Sequence, residues 1–200
     1  MSGAPISPGE LITIYGSNLA DAPQSNTTQV FLGSQSLAPP LYSRPGQLNV
    51  QVPYDVPLNR QYQIAVQRDS MLSVPDQLLI AAAQPGIFIV NQRGQGAITL
   101  SDGVTLAQPG TPAGIGETVV IYCASLGAVS PSGALEKTVN SVGVSMGGQT
   151  AQVSFSGLTP GFVGLYQVNA VVPNVASGNA VPVVLTVASQ TSPAALMAVK

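Results

Sequence analysis

The amino-acid sequence predicts an all-β protein built as two β-sandwich domains in tandem, and three observations carry that reading. Turn formers are dense, with Gly 21 and Pro 17 in 200 residues and no collagen-like period. The runs between them are short and rich in Val, Ile and Thr, which suits strands and not helices. Two pairs of motifs also recur in the same order. Gly9-Glu10-Leu11-Ile12-Thr13-Ile14-Tyr15 is matched by Gly116-Glu117-Thr118-Val119-Val120-Ile121-Tyr122. Gln47-Leu48-Asn49-Val50-Gln51-Val52-Pro53 is matched by Gln167-Val168-Asn169-Ala170-Val171-Val172-Pro173. A repeat of roughly 110 residues has the size of a domain and not of a solenoid unit.

In chain order, residues 9–15 read as a strand with Ile12 and Ile14 on one face and Leu11, Thr13 and Tyr15 on the other. Both faces are largely apolar, which predicts a strand covered by a loop or neighbouring chain. Gly16-Ser17-Asn18-Leu19 breaks it, and residues 20–28 form a polar loop. Val30-Phe31-Leu32 is the next strand, turned back by Gly33-Ser34-Gln35-Ser36 toward Leu41-Tyr42. The 47–52 strand follows, then an exposed turn over 54–60. Residues 62–67 alternate Tyr62, Ile64 and Val66, and Arg68-Asp69-Ser70 makes a hairpin loop before Leu78-Leu79-Ile80. That is about seven strands in some 80 residues, the spacing of a sandwich.

Gln84-Pro85-Gly86 marks the boundary, giving domains 1–86 and 87–200. A linker hairpin at about 95–107 precedes the second copy, where Ser101-Asp102-Gly103 turns between Ala97-Ile98-Thr99-Leu100 and Val104-Thr105-Leu106. This hairpin has no visible counterpart in the first unit, as expected if the sequence begins too late to include one. Gly9 lies 107 positions before Gly116, Gly33 114 before Gly147, and Gln47 120 before Gln167. The second copy therefore gains about seven residues in 127–141 and about six in 157–166, lengths that loops absorb cheaply. Strands at 181–187 and 196–199 complete it.

Composition removes several function classes. The chain is 45% hydrophobic and 7% charged, against about 25% charged in an ordinary soluble domain. Its polar surface is therefore made of Ser, Thr, Asn and Gln. With six scattered Lys and Arg and a net charge of −2, there is no basic stripe for phosphates and no expectation of nucleic-acid binding. One cysteine excludes an internal disulfide framework and a Cys-rich zinc site. No apolar run reaches the roughly 20 residues of a membrane span. Met1-Ser2-Gly3 does not begin a signal peptide, so an exported parent protein would make this chain a fragment lacking its leader.

Gly9-Glu10-Leu11-Ile12-Thr13-Ile14-Tyr15-Gly16-Ser17-Asn18-Leu19 resembles the opening strand and turn of immunoglobulin-like IPT/TIG domains. Further motifs are Ser7-Pro8-Gly9, Ser43-Arg44-Pro45-Gly46-Gln47-Leu48-Asn49-Val50-Gln51-Val52-Pro53, Gln84-Pro85-Gly86-Ile87-Phe88 and Leu158-Thr159-Pro160-Gly161-Phe162-Val163-Gly164-Leu165-Tyr166-Gln167-Val168-Asn169. Through these the chain resembles, nearly end to end, a tandem Ala/Pro/Gly-rich C-terminal module of uncharacterised exported bacterial proteins, notably acidobacterial ones. The resemblance implies two immunoglobulin-like sandwiches and a secreted or cell-surface setting, with no catalytic residues to carry over. In one departure, Cys123 stands where the first copy has Gly16, so glycine freedom is not available there.

Gly143-Val144-Ser145-Met146-Gly147 has the Gly-x-Ser-x-Gly form of a nucleophile elbow. The elbow needs a strand-to-helix turn and a histidine base; the chain has no histidine, and Ser145 reads as an ordinary strand residue. Asp21, Asp55, Asp69, Asp76 and Asp102 sit at turns, where two could converge as a calcium site or a glycosidase pair, although no ligand spacing supports it. Cys123 ends an apolar strand with no nearby cation and reads as a buried core thiol. Tyr42, Tyr54, Tyr62 and Tyr166 could stack on sugars or pack in cores. Asn26-Thr27-Thr28 fits a glycosylation sequon, and Glu136-Lys137 reads as a solvated pair.

Asn49 and Asn169 recur at a surface strand position, where asparagine is disfavoured. The expectation is that each amide bonds the backbone of an overlying loop, residues 43–46 in the first unit and 157–164 in the second. The sequence thus predicts a non-catalytic spacing or docking module with no metal and no cofactor. Its partners would be other domains of the parent protein or an extracellular protein or glycan. The alternative is a glycan- or surface-binding module, with a hydrolase third.

Overall fold

The computed structural model describes residues 4–21 and 27–200. Most of the loop expected over 20–28, the sequon residue Asn26 and the segment Met1-Ser2-Gly3 lie outside the described residues. Among the described residues there is no helix, and the fold is all-β and immunoglobulin-like throughout. The chain divides into two compact units, Met1–Ala82 and Ala83–Lys200.

The first unit contains β1 (Leu11–Tyr15), β2 (Thr28–Leu32), β3 (Gln35–Ser36), β4 (Tyr42–Arg44), β5 (Gln47–Gln51), β6 (Arg60–Arg68), β7 (Met71–Leu72) and β8 (Asp76–Ile80). One sheet has the order β1-β5-β4; the other has β3-β2-β6-β7, with β8 also on β6. Alternation does the sorting. Leu48 and Val50 of β5 and Val30 and Leu32 of β2 are buried between the sheets, while their neighbours along each strand face out. Ile6 enters beside β8 through a parallel bridge to Ile80, then the chain crosses to the other sheet at a tight turn.

That turn is Ser7-Pro8-Gly9-Glu10. Proline in its second position and a positive φ of 75° at Gly9 are the type II signature, and Glu10 N–H donates to the Ser7 carbonyl at 3.2 Å. The Glu10 carboxylate reaches back to accept from the Ser7 N–H at 2.8 Å. Residues 54–60, expected to be an exposed turn, instead bury Val56 in the core, because the turn folds its one β-branched residue inward.

The second unit contains β9 (Gly86–Ile87), β10 (Ile98–Leu100), β11 (Thr118–Ala124), β12 (Val129–Ser132), β13 (Leu135–Thr138), β14 (Val142–Met146), β15 (Gln149–Leu158), β16 (Tyr166–Val171), β17 (Gly178–Val187), β18 (Gln190–Thr191) and β19 (Ala195–Val199). Its pairings repeat those of the first. Ile12↔Val50 and Ile14↔Leu48 correspond to Val119↔Ala170 and Ile121↔Val168. Ile6↔Ile80 corresponds to Ala113↔Val199. The turn recurs as Gly114-Ile115-Gly116-Glu117, with Gly116 at φ 83° and the Glu117 carboxylate accepting from the Gly114 N–H at 2.7 Å.

Where the units differ, proline and length explain it. Strand β15 is continuous from its β14 pairing to its β16 pairing, passing between the sheets through a bulge at Val153/Phe155. The first unit splits the same path into β3 and β4, because Pro39-Pro40 cannot donate ladder bonds. The insertion over 127–141 folds as the β12–β13 hairpin, and Lys137 pairs with Gly157 of β15. The hairpin at 95–107 is not a free linker. Its first strand, β10, is laddered onto β11, and Asp102 closes its turn by accepting from the Thr105 hydroxyl and the Val104 and Thr105 amides. The Thr105 hydroxyl, followed by those amides, holds the Asp102 carboxyl below the ordinary carboxylate range. The turn is therefore firmest above the ordinary carboxylate pKa and loosens as pH falls through the lowered one. The boundary expected at Gln84-Pro85-Gly86 lies inside the second unit, because Gly86 already pairs with Ala124.

Candidate functional site

The outward face of β4, β5 and β1 forms a flat grid. Antiparallel register sets its rows: Leu11 beside Gln51, Thr13 beside Asn49 beside Tyr42, and Tyr15 beside Gln47 beside Arg44. These side chains share a face because each is two residues from the next along its strand. Tyr15 is 76% exposed, while Leu11 and Tyr42 are also open to solvent. The outer face of β1 is thus uncovered, contrary to the covering loop its apolar character suggests.

The grid is wired laterally. Gln47 Nε2 donates to Asn49 Oδ1 at 2.9 Å, and Thr13 Oγ1 donates to the same oxygen at 3.2 Å. Gln51 Nε2 donates to the Tyr54 hydroxyl at 3.0 Å and to the Gly9 carbonyl at 3.2 Å. The Arg44 guanidinium lies 5.8 Å from the centroid of the Tyr42 ring, within cation–π range. Of the eight grid side chains only Arg44 is charged. The remaining amide and hydroxyl groups present donors and acceptors beside aromatic faces, which suits a neutral, polyhydroxylated ligand.

Asn49 therefore bonds within its own sheet and not to the 43–46 loop backbone, as its recurrence suggests; Thr13 and Gln47 reach it first. Asn169 sits in the equivalent register opposite Val120, which has no hydroxyl to give. Its Oδ1 is buried without a protein partner. Replacing Asn169 by Val is expected to stabilise the chain by about 1 kcal/mol in urea unfolding, since an unsatisfied buried acceptor costs more than an apolar group of similar size. Asn49→Ala should destabilise it by about 0.5–1.5 kcal/mol, the ordinary net worth of such bonds. Shifts of the same sign in both variants would overturn this account.

The second unit does not rebuild the grid. Val120 is buried, and the Tyr122 hydroxyl is taken up by the Gly103 carbonyl at 3.0 Å. Phe155 and Gly157 replace Tyr42 and Arg44 in register.

The other sequence candidates fall elsewhere. Tyr166 is fully buried, with its hydroxyl on the Gly127 carbonyl at 2.6 Å. Tyr62 packs against the core, and the Tyr54 ring covers Gly9. Tyr15, the most exposed tyrosine of the grid, is legible in the sequence only through its alternation with Ile14. Ser145 lies mid-strand, paired with Thr150 on one side and Val184 on the other, which is not an elbow. Among the described residues no three His, Cys, Asp or Glu side chains gather as metal ligands.

Cys123 is fully buried, and its thiol points at the Tyr166 carbonyl at 3.8 Å. Burial pushes its pKa far above the usual thiol range. The native chain is expected to resist a disulfide-exchange reagent at pH 8 and to react with one thiol per chain once unfolded; rapid native labelling would contradict this. The glycine that Cys123 replaces does not use its freedom. The left-handed residues after the two strands are Asn18 at φ 56° and Ser125 at φ 63°, two positions downstream in each copy.

Comparison with known proteins bears on this architecture. Residues 1–79 match the IPT/TIG domain. Over those residues the chain is similar to immunoglobulin-like IPT/TIG domains. No curated protein matches the chain. Among solved structures it is similar to the Bacteroides ovatus SGBP-B of a mixed-linkage glucan utilization locus, in complex with a mixed-linkage heptasaccharide. There the identity is 18%, the TM-score 0.43, and the coverage 98% of this chain and 43% of that one. It is also similar to SGBP-B from a complex xyloglucan utilization locus in Bacteroides uniformis, at 12% identity and TM-score 0.35, covering 99% of this chain and 48% of that one. A third similarity is to the surface glycan-binding protein PbSGBP-B of Prevotella bryantii, at 12% identity and TM-score 0.34, covering 96% and 36%. The chain spans less than half the length of each. At such identities, ligand and partner must be argued from this chain's own geometry.

Proposed function

We propose that this chain is a non-catalytic binding module of a secreted or cell-surface protein, and that the outer face of β4, β5 and β1 holds a neutral oligosaccharide. The observation that carries this is the exposed grid itself: Tyr15 and Tyr42 offer ring faces on either side of a row of amides, with one charge among eight side chains. Sugar C–H faces pack on aromatic rings, and hydroxyls pair with amides that have donor and acceptor capacity left over. The mid-strand placement of Ser145 and a chain without histidine support a binding role over a serine-hydrolase one.

The test is affinity electrophoresis of the chain through gels containing neutral soluble polysaccharides, followed by calorimetry with oligosaccharides of any that retards it. Tyr15→Ala and Tyr42→Ala are each expected to weaken binding by about 2 kcal/mol, roughly thirtyfold, as central aromatic anchors do. Retardation by no polysaccharide, or by one that both variants bind unchanged, would overturn the reading. A second reading, docking of a neighbouring domain, is favoured by Phe88, Ile89 and Val90, a consecutive run each about half exposed in the second unit.

A further inference from the structure

The two insertions that set the second unit apart meet at one place. In the first unit Arg44 pairs with Gln47, so Pro45-Gly46 alone closes the turn between β4 and β5. In the second, the ladder between β15 and β16 runs one pair further, to Leu158↔Tyr166, and residues 159–165 close it. The other insertion is the β12–β13 hairpin, with Gly133-Ala134 at its tip.

Both segments are fixed by their own hydrogen bonds. Lys137 of the hairpin pairs with Gly157 of β15, and the Thr138 and Ser156 hydroxyls share a hydrogen bond at 2.6 Å. A Cβ at Gly157 would collide with the Glu136 carbonyl, so glycine is what lets the hairpin approach this closely. In the 159–165 segment the Thr159 N–H donates to the Leu165 carbonyl at 2.8 Å. The Phe162 N–H donates to the Thr159 carbonyl at 3.2 Å, across a turn with Gly161 at φ 82°.

Between the two segments lies a cleft of about 360 Å³, within the size range of small-ligand sites. Its lining is chemically one-sided. Leu135, Leu158, Pro160 and Phe162 supply apolar wall, and Phe162 is largely exposed. Glu136 is the one charged residue on the lining, and among the described residues its carboxylate has no ion-pair partner. Lys137, next in the chain, is not on the lining. Thr159 is, and its buried Oγ1 has no partner among the described residues.

These groups disfavour a sugar. Two polar side chains cannot pair with the several hydroxyls of a pyranose, and each unmet hydroxyl costs binding energy. They suit an ammonium on an aliphatic stem. The stem packs on apolar wall, an aromatic face attracts the cation, and a carboxylate without a partner neutralises it. An ammonium brings three donors, more than Glu136 needs, and an orphaned hydroxyl oxygen is an acceptor for another.

We propose that this cleft binds an alkylammonium group, its stem against Leu135, Pro160 and Phe162 and its charge at the Glu136 carboxylate. The group belongs either to a lysine of a partner polypeptide or to a free amine. The cleft is separate from the outer face of β4, β5 and β1, so this site and the oligosaccharide site can fail independently.

The probe is n-butylammonium chloride, titrated into the full chain while backbone amide NMR shifts are followed. Saturable shifts at Leu135, Glu136, Thr159, Gly161 and Phe162 are expected, with none at Thr13, Gln47 or Asn49. Glu136→Gln and Phe162→Ala should each weaken binding roughly fivefold, the worth of one exposed charge or cation–π contact. Unshifted amides elsewhere in each variant check its folding. The neutral n-butanol should bind more weakly than the ammonium by a similar margin. Titration with Nα-acetyl-lysine methylamide separates the sources. Binding at least as tight as n-butylammonium assigns the cleft to a partner's lysine, and weaker binding assigns it to a free amine. No saturable shift, equal binding of n-butanol, or unchanged binding by Glu136→Gln would overturn the proposal. So would the same amides responding to methyl β-glucoside at lower concentration than to the ammonium.

Discussion

Tyr166→Ala is expected to destabilise the chain by about 3–5 kcal/mol, the cost of removing a buried aromatic side chain. Tyr166 is the largest of the fully buried side chains. It sits at the start of β16 with its backbone paired to Cys123 on one side and Leu158 on the other. Its ring fills the interior of the second sandwich, and its hydroxyl holds the Gly127 carbonyl at the base of the inserted segment. Tyr166→Phe separates the two roles. It keeps the ring and strands that carbonyl, which should cost about 1–3 kcal/mol. Urea unfolding followed by circular dichroism measures both, and a Phe variant as damaged as Ala would show that the hydroxyl, and not packing, is the larger contribution.

Gly9→Ala and Gly116→Ala should differ although the two glycines occupy the same turn. Both have positive φ, 75° and 83°, so each alanine costs about 1–2 kcal/mol for left-handed backbone. At Gly116 a Cβ would meet nothing, whereas at Gly9 it would stand 2.0 Å from Cε1 of the Tyr54 ring. That ring is held by Gln51 Nε2 on its hydroxyl, and displacing it adds about 1–3 kcal/mol of overpacking. Gly9→Ala is thus expected to be the more damaging by that amount. Adding Tyr54→Ala should remove the clash and bring a coupling energy to light in the double-mutant cycle. Equal losses at the two glycines would mean that the ring swings aside freely.

The repeated turn is legible in the sequence because its chemistry is local. Gly-Glu ahead of an alternating apolar strand recurs in both copies, with the glycine at positive φ, and Pro8 adds the type II bend in the first. The same holds for Leu48-Asn49-Val50, whose alternation assigns the inner and outer faces correctly. Local signals are weaker where a residue's partner is remote. Cys123 in place of Gly16 reads as a loss of glycine freedom, yet the left-handed position is two residues later, at Asn18 and Ser125. Nothing in the local sequence distinguishes a glycine that ends a strand from one that turns it.

By itself the sequence determined the all-β class, the duplicated order of strands and the loops that absorb the insertions. Those properties follow from side-chain periodicity and turn chemistry, which act over a few residues. Alternation separates Tyr15, opposite in face to Ile12 and Ile14, from Tyr62 and Tyr166, which share the faces of Ile64 and Val168; tertiary structure alone decided that nothing among the described residues packs over the Tyr15 face. It also decided the unequal fates of Asn49 and Asn169. The two share a motif, but the neighbour across the ladder is Thr13 in one case and Val120 in the other, and register between distant strands chooses that neighbour.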